Sequence, residues 1–174
     1  MMTDIATARL LLRPHVPADA EALLRGVGNL NVSQWAARIP HPYTLADAEA
    51  FLALESDTVF RRAIALRNDP GHLIGGIGYE WKAEETPEIG YWIAEPFWGR
   101  GYAAEAARAI VDHAFDAGDH DALAASYQLG NEASRRILAG LGFIETGEAE
   151  SFSRARNAQT RIMQMRLEKK GRRA

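Results

Sequence analysis

The chain contains no cysteine. That excludes disulfides, thiolate metal sites and any covalent intermediate on a thiol. It has no run of 18 apolar residues, so no segment reads as a membrane-spanning helix. Met1-Met2-Thr3-Asp4 begins no signal peptide, which makes the cytoplasm the expected compartment and a membrane an unexpected partner. Low-complexity tracts, internal repeats and linkers long enough to divide domains are also missing. Charge of one sign is not in excess: the formal net charge of −3 gives no general pull toward nucleic acid. His15, His41, His72, His113 and His120 fall at no metal-ligand spacing, so no metal is expected. His113 fits the solvent side of a helix. What is present is an ordinary globular balance, 47% hydrophobic and 25% charged over 174 residues. That suits one domain with a sizeable core and is too apolar for disorder. Residues 1–168 read as that domain. Residues 169–174 form a basic tail around Lys169, Lys170, Arg172 and Arg173, either a solvated terminus or an RNA contact.

The most informative stretch is Glu88 to Ala107, EIGYWIAEPFWGRGYAAEAA. Ile89 to Ile93 is rich in aromatic and β-branched residues and reads as a buried strand. Pro96 ends it, because proline has no N–H for the ladder. From Ala103 to Ala117 the residues favour helix, with an apolar stripe at Ala103, Ala107, Ile110, Val111 and Ala114. Between strand and helix lies Trp98-Gly99-Arg100-Gly101-Tyr102. A glycine loop entering a helix start leaves unpaired N–H groups with the helix dipole behind them, a site for phosphate.

Gly99-x-Gly101-x-x-Ala104 also fits the dinucleotide fingerprint, with Asp121 at the expected distance downstream. That reading implies a nucleotide-binding oxidoreductase. Its context is poor, since Glu95 to Trp98 separate the loop from the strand and too little chain follows for the rest of such a domain.

Other elements follow from pattern. Arg9–Arg13 reads as a first strand closed by Pro14. Ala18–Arg25 is a helix between Pro17 and Gly26. Asn29–Ala37 is a short helical piece. Thr44-x-x-Asp47 is a capping box opening a helix to about Glu55. Val59–Arg67 and His72–Trp81 are strands of a hairpin around the turn Asn68–Gly71. A charged turn spans residues 82–86. The turn Gly118–Asp121 leads to a strand Ala122–Tyr127. Asn131–Ala139 is a helix ended by Gly140, and strands begin at Gly142 and at Gln159. The order is β, α, α, α, β, β, β, α, β, α, β, β.

This order and the loop resemble the GNAT acetyltransferase superfamily. There the pyrophosphate loop reads Gln/Arg-x-x-Gly-x-Gly/Ala; here Gly101 and Ala103 fill the last two places and Trp98 stands where Gln or Arg is usual. The phrase EIGYWIAEPFWGRGYAAEA is similar to the RimJ/RimL branch, which acetylates protein N-termini, and to its small-molecule relatives. At motif level the resemblance covers Arg9-Leu10 and Glu88 to Phe143. It implies an α/β fold with a mixed, mostly antiparallel twisted sheet of about seven strands and helices on both faces. It also implies acetyl-CoA as co-substrate, and direct transfer to a primary amine of a protein N-terminus or a small molecule. A homodimer is common in the family. A CoA-binding regulatory module without catalysis is the alternative.

The resemblance also assigns residues. The N–H groups of Gly99, Arg100, Gly101, Tyr102, Ala103 and Ala104, beside Trp98, hold the diphosphate. Arg100 adds charge or remains a solvated side chain. The pantetheine arm pairs with Ile93 and Ala94, and the Ile93 N–H faces the thioester oxygen. Asn131 caps its helix and bonds the pantetheine. Many relatives carry an acidic tyrosine where this chain has Leu138, which cannot donate. Ser134 is instead the acid, mainly as a donor to developing charge on sulfur, or else a first-turn serine with local bonds. Glu88 is the base if burial or a water relay makes it one, or else a strand-edge carboxylate. Glu80 and Glu150 are spare candidates. Trp35, Trp81 and Trp92 shape the acceptor pocket or pack the core, Trp35 foremost because the early helices cover the acceptor in this fold.

Overall fold

The computed structural model describes residues 4–81, 86–117 and 120–169. Residues 82–85 of the expected charged turn, residues 118–119 of the next turn and residues 170–174 of the basic tail lie outside the described residues. The elements in order are β1 (Ile5–Ala6), β2 (Leu10–Arg13), α1 (Ala20–Val27), α2 (Leu30–Ser33), α3 (Leu45–Ala53), β3 (Val59–Leu66), β4 (Asp69–Glu80), β5 (Glu88–Ile93), α4 (Tyr102–Ala117), β6 (Ala122–Gln128), α5 (Glu132–Leu141), β7 (Ile144–Ser153) and β8 (Ala158–Glu168). They build one eight-stranded sheet in the order β1-β2-β3-β4-β5-β6-β8-β7. All pairings are antiparallel except β5 with β6. The sheet is the mixed α/β architecture expected, one strand larger because the two-residue β1 precedes the first expected strand.

Alternation along the strands gives the sheet two different faces. Against one lies α4, whose stripe of Ala107, Ile110, Val111 and Ala114 is buried as expected and packs on Leu10, Ile64, Ile77, Ile89 and Leu123. The other face is covered in part by α1 and α3 through Leu23, Ala48, Ala63 and Leu73. Here Trp92 lies between helix and sheet. A Cβ on Gly26 would come within 2.6 Å of its ring, and one on Gly76 within 2.6 Å of its Nε1. Bare backbone on both sides is what lets the indole fit.

Several local expectations shift. The helical piece 29–37 is a single turn, Leu30–Ser33. Gly140 lies inside α5; the helix ends at Leu141, and Gly142 takes the left-handed cap at φ 96°. The turn after β3 is shorter than expected, because β4 already begins at Asp69, with register shifts on either side of Ala65. His113 is half-buried rather than on the solvent side: its ring lies tilted against Phe60 with centroids 4.4 Å apart, and burial lowers its pKa. The Thr44 capping box forms as read, with Asp47 N–H donating to the Thr44 hydroxyl at 3.2 Å and Thr44 N–H to the Asp47 carboxylate at 2.8 Å.

The start of α1 is fixed by a buried ion pair. Asp19, 1% exposed, accepts from Arg13 at 2.7 and 2.9 Å and from the Val16 N–H at 2.9 Å. Burial alone would raise the Asp19 carboxyl; the bonds from Arg13 and the Val16 N–H outweigh it and hold the group well below the usual carboxylate range. Asp19→Ala strands the Arg13 charge and is expected to cost about 3 kcal/mol at neutral pH, read by urea unfolding. Because the folded pKa lies below the unfolded one, this stability is present above about pH 4 and lost as the pH falls. The gap between wild type and variant should therefore close in acid.

Candidate active site

The loop after β5 has the backbone geometry of a candidate anion site. The chain leaves Ile93, makes one 3-10 turn at Glu95–Phe97 and reaches Gly99 and Gly101, both left-handed at φ 72° and 77°. Only glycine adopts these values without strain. Such alternation turns successive N–H groups to one side, a concavity that suits anions. The 16-residue helix α4 begins at Tyr102. Its first internal bond runs from the Glu105 N–H to the Gly101 carbonyl at 3.1 Å, so the N–H groups of Tyr102, Ala103 and Ala104 precede the helical ladder. Gly99, Arg100, Gly101 and Ala104 are exposed. Donors without side chains, at the positive end of a long helix, fit a diphosphate. The Arg100 side chain reaches the Pro96 carbonyl at 3.3 Å and lies in solvent over Phe97. The Trp98 indole N–H donates to the Ile93 carbonyl at 2.6 Å and so ties the loop back to the strand.

Beside the loop, β5 and β6 part. They pair only at Glu88–Ala124 and Ile89–Ala125, yet run on to Ile93 and Gln128. The Ala94 N–H donates to Ile74 on the β4 side at 2.9 Å. By antiparallel alternation the N–H groups of Tyr91 and Ile93 therefore face the gap.

On the α4–α5 face of this gap stand Asn131, Ser134 and Tyr91. Asn131 caps α5, its Oδ1 accepting from the Ser134 N–H at 3.1 Å. The Ser134 hydroxyl meets the Tyr91 hydroxyl at 3.0 Å. Burial pushes the Tyr91 phenol up to about 12, the bond to Ser134 offsetting only part of this. The phenol thus remains protonated throughout the neutral range. Leu138 is 1% exposed and packed in the core. Tyr91 is the functional candidate that sequence reasoning missed: it reads as strand, and only the fold brings it to a serine 43 residues away.

On the opposite face, Glu88 and Glu80 are direct cross-strand partners. The Ser126 hydroxyl donates to Glu88 at 2.8 Å, and the Arg38 guanidinium clamps Glu80 with two nitrogens. Between Glu88 and Trp92 lies Gly90, exposed although its strand is central, with nothing within 4 Å of a Cβ placed there. It faces open space. Trp35 is half-buried under Arg156, whose guanidinium lies 5.2 Å from the ring. Arg154 and Arg156, from the β7–β8 turn, donate to the Arg38 carbonyl at 3.3 Å and the Gln34 carbonyl at 3.2 Å, fastening that turn to the segment after α2. Trp81 is elsewhere: it points to the α4 face, 5.7 Å from Tyr79 and 5.9 Å from His120. Glu150 stands on β7, at the far edge of the sheet, opposite Arg161.

The surroundings of the loop do not suit the dinucleotide fingerprint, which needs a parallel sheet and a tight turn at the strand end. Comparison with known proteins agrees. Residues 9–144 match the acetyltransferase (GNAT) domain family. The chain is 31% identical over 158 residues to a Bacillus subtilis protein named as the uncharacterized N-acetyltransferase YoaA, covering 87% of this chain and 89% of that one. An acetyltransferase (GNAT family) from Bacillus anthracis superposes with a TM-score of 0.83 at 22% identity, over 97% of this chain and 99% of the other. Mycobacterium smegmatis RimJ, solved in complex with CoA-disulfide, superposes with a TM-score of 0.79 at 22% identity, over 92% and 82%. The chain belongs to the GNAT acetyltransferase family and is an N-acetyltransferase.

Proposed function

We propose that the protein binds acetyl-CoA with its diphosphate on the Gly99–Ala104 loop and passes the acetyl group directly to a primary amine in a ternary complex. The observation that carries this reading is the loop itself, two left-handed glycines opening α4 beside an unpaired gap in the sheet. The CoA-disulfide in the RimJ complex supports the choice of ligand, and the absence of cysteine suits transfer without an acyl-enzyme.

Acetyl-CoA supplies an activated acetyl thioester. The amine nitrogen forms a bond to the carbonyl carbon as the carbon–sulfur bond breaks; the nitrogen loses a proton and the sulfur gains one. Ile93 and Ala94 are assigned to the pantetheine arm, with the Ile93 N–H directed at the carbonyl oxygen as an oxyanion donor. Asn131 is assigned a further bond to that arm through its side-chain amide. Glu88 receives the proton from the amine, through water in the open space above Gly90. Arg38 neutralises Glu80, so Glu88 is the carboxylate left to attract an ammonium group. Trp35 and Glu80 border the acceptor. Ser134, backed by Tyr91, donates to the charge released on sulfur.

The acceptor is a protein N-terminus or a small amine. Release of free CoA thiol, measured against peptides differing in their first residue and against polyamines, amino acids and aminoglycosides, is expected with one of these sets. Silence across all of them despite CoA binding would overturn the catalytic reading in favour of a CoA-binding regulatory module.

Gly101→Glu is expected to abolish CoA binding by calorimetry, since it brings bulk and negative charge into the cradle at a backbone angle that disfavours side chains. Unchanged affinity would sink the loop assignment. Ser134→Ala is expected to lower kcat about 100-fold and Tyr91→Phe by less, both with KM for acetyl-CoA nearly unchanged. An unaltered kcat in Ser134→Ala would remove the serine from the mechanism.

A further inference from the structure

The anion loop carries glycine on both sides of Arg100, at Gly99 and Gly101. Glycine that accepts left-handed angles accepts others almost as readily. A flip of the peptide between Arg100 and Gly101 would be cheap for such a loop. It would also reverse the cradle, because in a planar trans peptide the C=O and the N–H point in opposite directions. Something outside the loop must hold that peptide one way round.

Arg9, the residue just before β2, touches it. Its Nη1 donates to the Arg100 carbonyl at 2.8 Å. The same guanidinium donates through Nε to Glu105 Oε2 at 2.7 Å and lies 4.7 Å from the centre of the Tyr102 ring. Its Nη2 is 3.4 Å from where a Cβ on Gly101 would stand. Glu105 is itself held by the Arg9 N–H at 2.8 Å and the Thr7 hydroxyl at 2.6 Å. The guanidinium therefore spans the loop and the first turn of α4 from a segment more than 90 residues away in sequence.

We propose that Arg9 is a positioning residue for diphosphate binding: by fixing the Arg100 carbonyl outward it points the Gly101 N–H into the cradle. It has a second, electrostatic effect. Glu105 in the first helical turn favours the helix through its dipole but repels a diphosphate bound at the same end. Pairing with Arg9 cancels that repulsion. The cluster thus supplies geometry and charge balance without touching the ligand. This inference rests on the reading of the loop as a diphosphate cradle.

The test is calorimetric, with the whole chain and two ligands. CoA carries the diphosphate; pantetheine shares the thiol arm and lacks it. In Arg9→Gln the Kd for CoA is expected to rise about tenfold or more, the scale of one charge-assisted hydrogen bond. The Kd for pantetheine should stay within about twofold, as should the ratio for a control such as Arg25→Gln on the exposed face of α1. Arg9→Lys, which keeps the charge beside Glu105 but cannot span both partners, is expected to fall between wild type and Arg9→Gln. Equal loss for both ligands, the signature of a merely structural defect, would overturn the proposal. So would an unchanged Kd for CoA. Failure of the wild-type chain to bind CoA would instead overturn the cradle reading, and this inference with it.

Discussion

The separation of β5 from β6 is the constraint on which the rest of the site depends. The strands lie side by side for two residue pairs and then diverge while each continues. In a closed ladder the N–H groups of Tyr91 and Ile93 would be spent on β6. Opened, they line a gap in the middle of an eight-stranded sheet. The gap joins two faces that the sheet otherwise keeps apart. Tyr91 and Ser134 lie on the α4–α5 face, Glu88 and the exposed Gly90 on the other. Both strands then deliver their helices to the same end of the sheet, so the starts of α4 and α5 flank the gap.

A glycine loop at such a place needs outside restraint, and the fold provides three kinds. Trp98 turns back on the Ile93 carbonyl. Arg9 reaches across from the start of β2. Glu95, in the turn before the loop, accepts from Asn31 at 2.9 Å and from Asn29, which pins the short α2 to the end of β5. Each restraint ends on a backbone carbonyl or a short turn, so each limits direction rather than adding apolar burial. Hydrogen bonds suit that task because they are directional, whereas hydrophobic contact is not.

What could be read in the sequence was what is decided locally. The backbone shape of the Gly99–Gly101 loop was legible because two glycines just before a helix start permit the left-handed angles it adopts. The Thr44–Asp47 box was legible because both bonds close within one turn. The α4 stripe was legible because burial of one helical face sets a period of its own. Misreadings occurred where two local signals competed. Gly140 and Gly142 are both plausible helix ends, and only the packing of Leu141 and Phe143 against the core selects the second. For Trp81 and Trp92 the sequence left pocket and core both open, and strand parity puts them on opposite faces, each packed against a core cluster. The Tyr91–Ser134 and Arg9–Glu105 contacts were not legible, since they join residues 43 and 96 positions apart, and no periodicity encodes a tertiary pairing.

The pairing of Tyr91 with Ser134 also bears on what kind of acid chemistry the proposed reaction can use. A free thiol has an ordinary pKa of about 8.5. The Tyr91 phenol is pushed up to about 12 by burial, and a serine hydroxyl is weaker still as an acid. Complete transfer of the phenolic proton to a departing thiolate would therefore run uphill. The pair is therefore poorly placed as a proton source and well placed as a neutral donor. Burial keeps the phenol from ionising, so no negative charge forms beside the sulfur, and the hydroxyl it polarises is free to stabilise charge as it develops. The same burial that makes Tyr91 a weak acid makes it a dependable hydrogen-bond partner for the thiolate of the proposed reaction, which, as the weaker base, can leave unprotonated.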